Sequence, residues 1–212
     1  MQEQQYDRGS LCYDQNMEKS SIVFAEVSEL YQTAATSMGD WMWRNHVQWV
    51  ADKTKQLAEK YGADAEKAYC AALLHDLGDS HHERSHADFN TWSKEKAQEI
   101  LHRAGFDENN TKEILEAIRT HSCRPGNLPT TQEGKVLATA DGMWHLQTNF
   151  FPMICYMQRP ENTHSYDEWQ KWFSDKIERD FGPKIFFADE RAEVRGDYEA
   201  LRKVFGNTSL EG

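Results

Sequence analysis

The sequence predicts an all-α fold, a helical bundle formed by a single domain. Three observations predict it. Apolar residues recur at helical spacing along most of the chain. Residues that cap or terminate helices stand at the ends of those stripes. The period-two alternation of a half-buried strand is missing, and only the short run 185–188 is open to an extended reading. A length of 212 residues suits one well-buried core, and 39% apolar residues with 7 Trp, 10 Phe and 8 Tyr give it enough surface to bury.

The elements follow in order. Residues 1–17 are polar and aperiodic and predict a flexible leader. Val23, Val27, Leu30, Tyr31 and Ala34 share one face of a first helix. Asp40 can cap a second, whose stripe is Trp43, Val47, Val50, Thr54, Leu57 and Tyr61 and which Gly62 ends. Asp64 can cap a third, with Gly78 at its C-terminal end. Residues 79–92 read as a histidine-rich loop, and a short helix runs from Ser93 to Gly105. Asn110 with Glu113 suggests the start of a helix carrying Ile114, Leu115, Ile118 and His121. After the turn Arg124 to Pro129, Thr130 with Glu133 opens a helix carrying Val136, Leu137, Ala140 and Trp144. Two more patterns lie beyond Pro160. One is the stripe Trp169, Trp172, Phe173, Ile177 and Phe181, and the other is 189–205.

Composition excludes several partners. A formal net charge of −11 without a basic tract disfavours a large nucleic acid. It does not disfavour a small phosphate ester, provided a local cation inverts the field. The longest apolar stretch, Phe150 to Met157, is too short for a bilayer and contains Pro152, so no membrane association is expected. That stretch reads first as core, and otherwise as a pocket wall or a contact in a homo-oligomer. Cys12, Cys70, Cys123 and Cys155 form no C-x-x-C pair, and the polar N-terminus shows no secretory signal, so the expected address is a reducing cytoplasm.

The residues that carry chemistry are histidines and aspartates at the edges of apolar stripes. In the run A-L-L-H-D-L-G-D at 72–79, His75 and Asp76 stand beside Leu73, Leu74 and Leu77, where burial is costly unless something pairs with them. His46 borders the stripe of its helix, Asp141 lies between Ala140 and Met143, and His121 continues the stripe of Ile114 and Ile118. Singly, each has an ordinary reading as a hydrogen-bonded core residue. Together, four helices each bring a His or an Asp to the core, which is how bundles build metal sites.

A histidine on one helix, a His-Asp doublet on the next and a distant aspartate on a later helix resemble the pattern of the HD-domain superfamily of metal-dependent phosphohydrolases, here His46, His75-Asp76 and Asp141. The likeness extends to E-G-K-V-L-A-T-A-D at 133–141 and A-I-R-T-H-S at 117–122, and it covers Met38 to Trp144. It implies an HD-type helical core over 18–149 with a C-terminal helical extension, 150–212, packed on it. It also implies hydrolysis of a small phosphorylated substrate, a nucleotide first among the candidates, by metal-activated water. The branch that hydrolyses cyclic dinucleotides carries H-D-x-G-K and a G-Y-P triplet. Here Asp79 replaces that lysine and the triplet is missing, which argues against this substrate.

On this resemblance His46, His75, Asp76 and Asp141 hold a divalent metal ion, and His86 with His121 hold a second. His81 and His82 compete with His86 for that place. Nitrogen and carboxylate ligands without sulfur favour Mn, Fe, Ni, Co or Zn over Mg. Asp76 would also orient or deprotonate water, and Asp79 is a candidate acid–base helper, its plainer reading being a solvated loop carboxylate. Arg124 and Lys135 are candidate phosphate contacts. Two other classes stay open: a di-iron oxygenase of the same fold, and a non-catalytic nucleotide-binding signalling module.

Overall fold

The computed structural model describes residues 18–34, 36, 38–157 and 165–206; the leader expected at 1–17 lies outside them. Helix α1 (Lys19–Gln32) buries Ile22, Val23, Val27 and Tyr31. Helix α2 (Gly39–Met42) runs through a π-turn, Trp43–Val47, straight into α3 (Gln48–Tyr61). The predicted stripe Trp43, Val47, Val50, Thr54 and Leu57 is buried, and Gly62 closes α3 in the left-handed region at φ 72°. Asp64 caps α4 (Ala65–Leu74), accepting from the Lys67 amide at 3.1 Å. There follow α5 (Phe89–Arg103), α6 (Glu108–Thr120) and α7 (Gln132–Gln147). The chain then forms α8 (Phe150–Met157), α9 (Tyr166–Phe181), α10 (Ala188–Glu193) and α11 (Arg195–Phe205).

The centre is α7, which packs on α3, α4 and α6, while α9 and α11 lie against it from the other side. Its sequence suggests one apolar face, yet every residue from Val136 to Leu146 is buried, because the C-terminal helices cover the side that the core leaves open. Among the described residues no strand forms, and no helix is long and apolar enough to cross a membrane.

Several predicted boundaries shift, for local reasons. Asp107 and Thr131, not Asn110 and Thr130, cap α6 and α7, since these two hold the extended backbone that a cap requires (ψ 170° and 157°). Glu133 reaches across instead and accepts the Asp64 amide at 3.0 Å, joining two helix N-termini. Asp40 lies inside the first turn of α2, paired with Arg44 at 2.9 Å. Helix α5 begins at Phe89, earlier than Ser93, and Gly78 lies in a 3₁₀ turn, Leu77–Ser80, beyond the end of α4. The final stripe breaks at Val194 into α10 and α11, and 185–188 pairs with no strand.

Gly142 shows how closely the C-terminal extension approaches. A Cβ there would lie 2.9 Å from the Asp180 carbonyl oxygen, 3.0 Å from Ile185 Cδ1 and 3.1 Å from Lys184 Cβ. Gly142→Ala is expected to destabilise the fold by about 1–3 kcal/mol, as overpacking against backbone does. A lowered urea midpoint with an unchanged m-value would show it; no shift would mean that this joint is loose.

Candidate metal centre

Each candidate ligand is placed by a local feature. The π-turn takes up one residue more than an α-turn, so Trp43, His46 and Val47 all face inward. His75 follows α4 with helical backbone, and Asp76 then leaves the helix (φ −116°, ψ 26°), presenting its carboxylate beside the ring of His75. The Tyr31 hydroxyl donates to the Asp76 carbonyl at 2.7 Å and pins this corner. Asp141 is held in the middle of α7.

These side chains converge. His46 Nε2 and His75 Nε2 are 2.8 Å apart. His46 Nε2 lies 3.4 Å from Asp76 Oδ2 and 3.6 Å from Asp141 Oδ1; from His75 Nε2 the same atoms are at 3.6 and 3.9 Å. His46, His75 and Asp141 are only 1%, 5% and 2% exposed, so water cannot satisfy them. His75 Nδ1 lies 2.7 Å from the Ala72 carbonyl, which can only accept, so Nδ1 donates and Nε2 is the ring nitrogen that faces inward. Burial lowers the pKa of His46 despite the opposing pull of Asp76, keeping it neutral. Burial alone would raise Asp76 and Asp141, but Arg84, His75 and His46 hold the first well below the usual range, and His145, Lys184, His46 and His75 the second.

Two imidazole nitrogens and two carboxylates aimed at one small volume are a donor set that fits a divalent ion. His46, His75 and Asp141 form one group at ligating distance, and His75, Asp76 and His121 form a second that shares His75. His121 gives its Nδ1 proton to the Ile118 carbonyl, and burial beside His75 lowers its pKa to about 4.

The remaining expected residues divide. Arg124 lines the same cavity, of about 610 Å³, as His46, Asp76, His121 and Asp141; Lys135 does not line it. His86 is not brought into either ligand group. It stacks on His82 at 4.2 Å, while His81 stacks on Trp92 at 4.3 Å. This ring stacking folds the histidine-rich loop on itself rather than toward His121. Asp79 is not a solvated loop carboxylate. It is buried and takes Arg84 Nε at 2.9 Å, and burial raises its pKa to about 6 against the pull of Arg84. The run at 150–157 is both core and wall: Phe150 and Phe151 are buried, and Phe150 and Ile154 line the cavity.

Sequence reasoning missed the cations. Arg84 bridges Asp76 and Asp79 with a bond of 2.8 Å to Asp76 Oδ2. Lys184, from beyond α9, donates to Asp141 Oδ2 and lies 3.7 Å from Asp180 Oδ1. Lys176 donates to Asp180 Oδ2 at 2.6 Å and contacts His145 Nδ1 at 3.0 Å, and His145 Nε2 lies 3.5 Å from Asp141 Oδ1. The C-terminal extension thus reaches the centre through charge. The signal was present: Lys176 and Asp180 stand three residues after Phe173 and Ile177, on the apolar face of α9.

Residues 43–143 match the model of the HD domain. Among curated proteins none matches the chain. Two solved structures of YpgQ from Bacillus subtilis are similar in fold. SeMet-YpgQ aligns with a TM-score of 0.61 at 18% identity over 92% of this chain and 97% of that one. YpgQ in complex with ADP aligns with a TM-score of 0.58 at 19% identity over the same shares. At such identities the likeness speaks for the fold, and it takes in the C-terminal helices as well as the matched region. The match over residues 43–143 is consistent with the HD-domain superfamily of metal-dependent phosphohydrolases.

Proposed function

We propose that the protein is a metal-dependent phosphohydrolase acting on a nucleotide or another small phosphate ester. The observation that carries this reading is the convergence of His46 Nε2, His75 Nε2 and the carboxylates of Asp76 and Asp141, with His46, Asp76 and Asp141 lining a cavity that also presents Arg84, Arg124 and Lys184. His46, His75, Asp76 and Asp141 would hold the ion, which supplies Lewis acidity toward a phosphoryl oxygen and toward water. Asp76, at 18% the more exposed of the two carboxylates, can take a proton on an Oδ atom from water attacking in line. Arg124 and Lys184 stand where they can meet the anionic oxygens of a phosphoryl group. Asp79 acts through Arg84, fixing the guanidinium that orients Asp76. The complex of YpgQ with ADP supports a nucleotide as ligand. A cytoplasmic setting suits the free, buried thiols of Cys70 and Cys123.

The purified protein, supplemented with Mn(II), is expected to release phosphate or a phosphorylated product from at least one member of a broad nucleotide and phosphoester panel. Nucleotide binding without any release would favour a signalling module instead. A second reading rests on His121, whose ring adds a third imidazole beside His75 and Asp76 and so favours two ions and oxygen chemistry. Oxygen consumption with a mixed-valent di-iron signal, and no phosphate release under anaerobic conditions, would establish it.

A further inference from the structure

Helix α9 carries two stripes. Phe173 and Ile177 face the core, but Trp172, Lys176 and Arg179, spaced at i, i+4 and i+7, face the cavity that holds the metal ligands. Trp172 is 38% exposed although its ring meets Trp169 at 5.6 Å and Phe173 at 5.3 Å, and the cavity is also lined by Trp41 and Trp169. Arg124 and Arg179 line the same space, and neither forms an ion pair with a carboxylate among the described residues, although the chain has a net charge of −11. Lys171, by contrast, is committed to Asp175 at 2.7 Å. Arg124 is set on the wall by a turn that begins at Cys123, a non-glycine residue in the left-handed region at φ 49°. Such a conformation is costly and is retained where it positions a neighbour.

Indole faces beside uncommitted guanidinium groups match a ligand with a planar aromatic ring at one end and phosphate at the other. We propose that α9, outside the HD match, forms a second subsite in which Trp172 stacks on an aromatic ring of the substrate while Arg179 and Arg124 take its phosphate chain. The assignment rests on the phosphohydrolase reading for the place of the scissile phosphate. Within that reading it makes Trp172 a specificity determinant, selecting nucleobase-bearing esters over small aliphatic ones.

The test compares two non-hydrolysable probes that share a bisphosphonate and differ only in the nucleoside: α,β-methylene-ADP and methylenebisphosphonate. Each is titrated calorimetrically into the Mn(II)-loaded protein. The parent is expected to bind the nucleoside probe at least about tenfold more tightly, the scale of one stacked base. Trp172→Ala should remove most of that advantage and leave the affinity for methylenebisphosphonate and the metal content unchanged. Arg179→Gln should weaken both probes about equally. Equal affinity of the parent for both probes, binding of neither, or an equal loss for both in Trp172→Ala would overturn the proposal. Failure of the hydrolase reading is distinguishable: preference for the nucleoside probe without phosphate release from any ester would overturn that reading and leave the subsite standing.

Discussion

His75→Ala, purified from medium containing manganese, is expected to hold less than about a tenth of the metal bound by the parent. His75 is the residue common to both candidate ligand groups, so its loss leaves neither with three donors. Its Nδ1 is committed to the Ala72 carbonyl, and the residue is 5% exposed, so no bulk water reaches the place of its inward Nε2. Asp141→Asn tests the same centre from the opposite wall. The amide keeps the shape and still offers an oxygen to Lys184, but the negative charge is gone. Metal analysis by mass spectrometry should show the loss in both variants, and hydrolytic activity should fall by about 10³-fold or more. Equal metal occupancy in parent and variants would remove the centre altogether.

Asp180→Ala should produce the largest loss of stability. Asp180 is fully buried, accepts Lys176 at 2.6 Å and lies 3.2 Å from His145 Nδ1 and 3.7 Å from Lys184 Nζ. Its removal leaves two buried ammonium groups short of a counter-charge, a change that costs about 3–5 kcal/mol, or roughly 6–20 °C in Tm for a chain of this size. Replacing the pair together, with Lys176→Met and Asp180→Leu, should recover most of the loss, because both desolvation costs vanish.

The pH dependence has a defined sign. Burial opposes ionisation of Asp180, but Lys176, His145 and Lys184 outweigh it, so its folded pKa lies below the unfolded one. Its contribution is therefore present above the unfolded value, about 3.9, and is lost as pH falls through the depressed folded value. Burial lowers Lys176 to about 8 although Asp180 pulls upward. Between about 8 and 10.4 the unfolded chain then binds more protons, and stability from this residue rises with pH. Urea unfolding at pH 7 and 9.5 should show that rise in the parent and not in Lys176→Met.

The all-α class was legible from the helical stripes, and the convergence of His46, His75, Asp76 and Asp141 was suggested by their places at the edges of apolar stripes, as His75 stands after Leu73 and Leu74. Caps were legible only to within a few residues: Thr130 and Thr131 offer the same hydroxyl, and the backbone conformation chooses between them. The second half of the site was not legible. Lys184 meets Asp141 across 43 positions and Arg84 meets Asp76 from an aperiodic loop, so no local period announces either contact. The histidine loop is different: its three imidazoles suggested ligands, but they stack on one another and on Trp92 and join neither ligand group.

The single surplus residue at Trp43–Val47 acts as an indexing pin in an otherwise even screw. Subtracting one amino acid there would let the rod from Gly39 to Tyr61 wind smoothly, and regular winding is locally the easier state. Everything on one side of the deletion would then swing by about 100° relative to the other, the advance of one α-helical step. Trp41 and the imidazole of His46 would no longer point toward the same chamber, so the aromatic wall and the ligand cluster are locked in phase by that extra peptide unit.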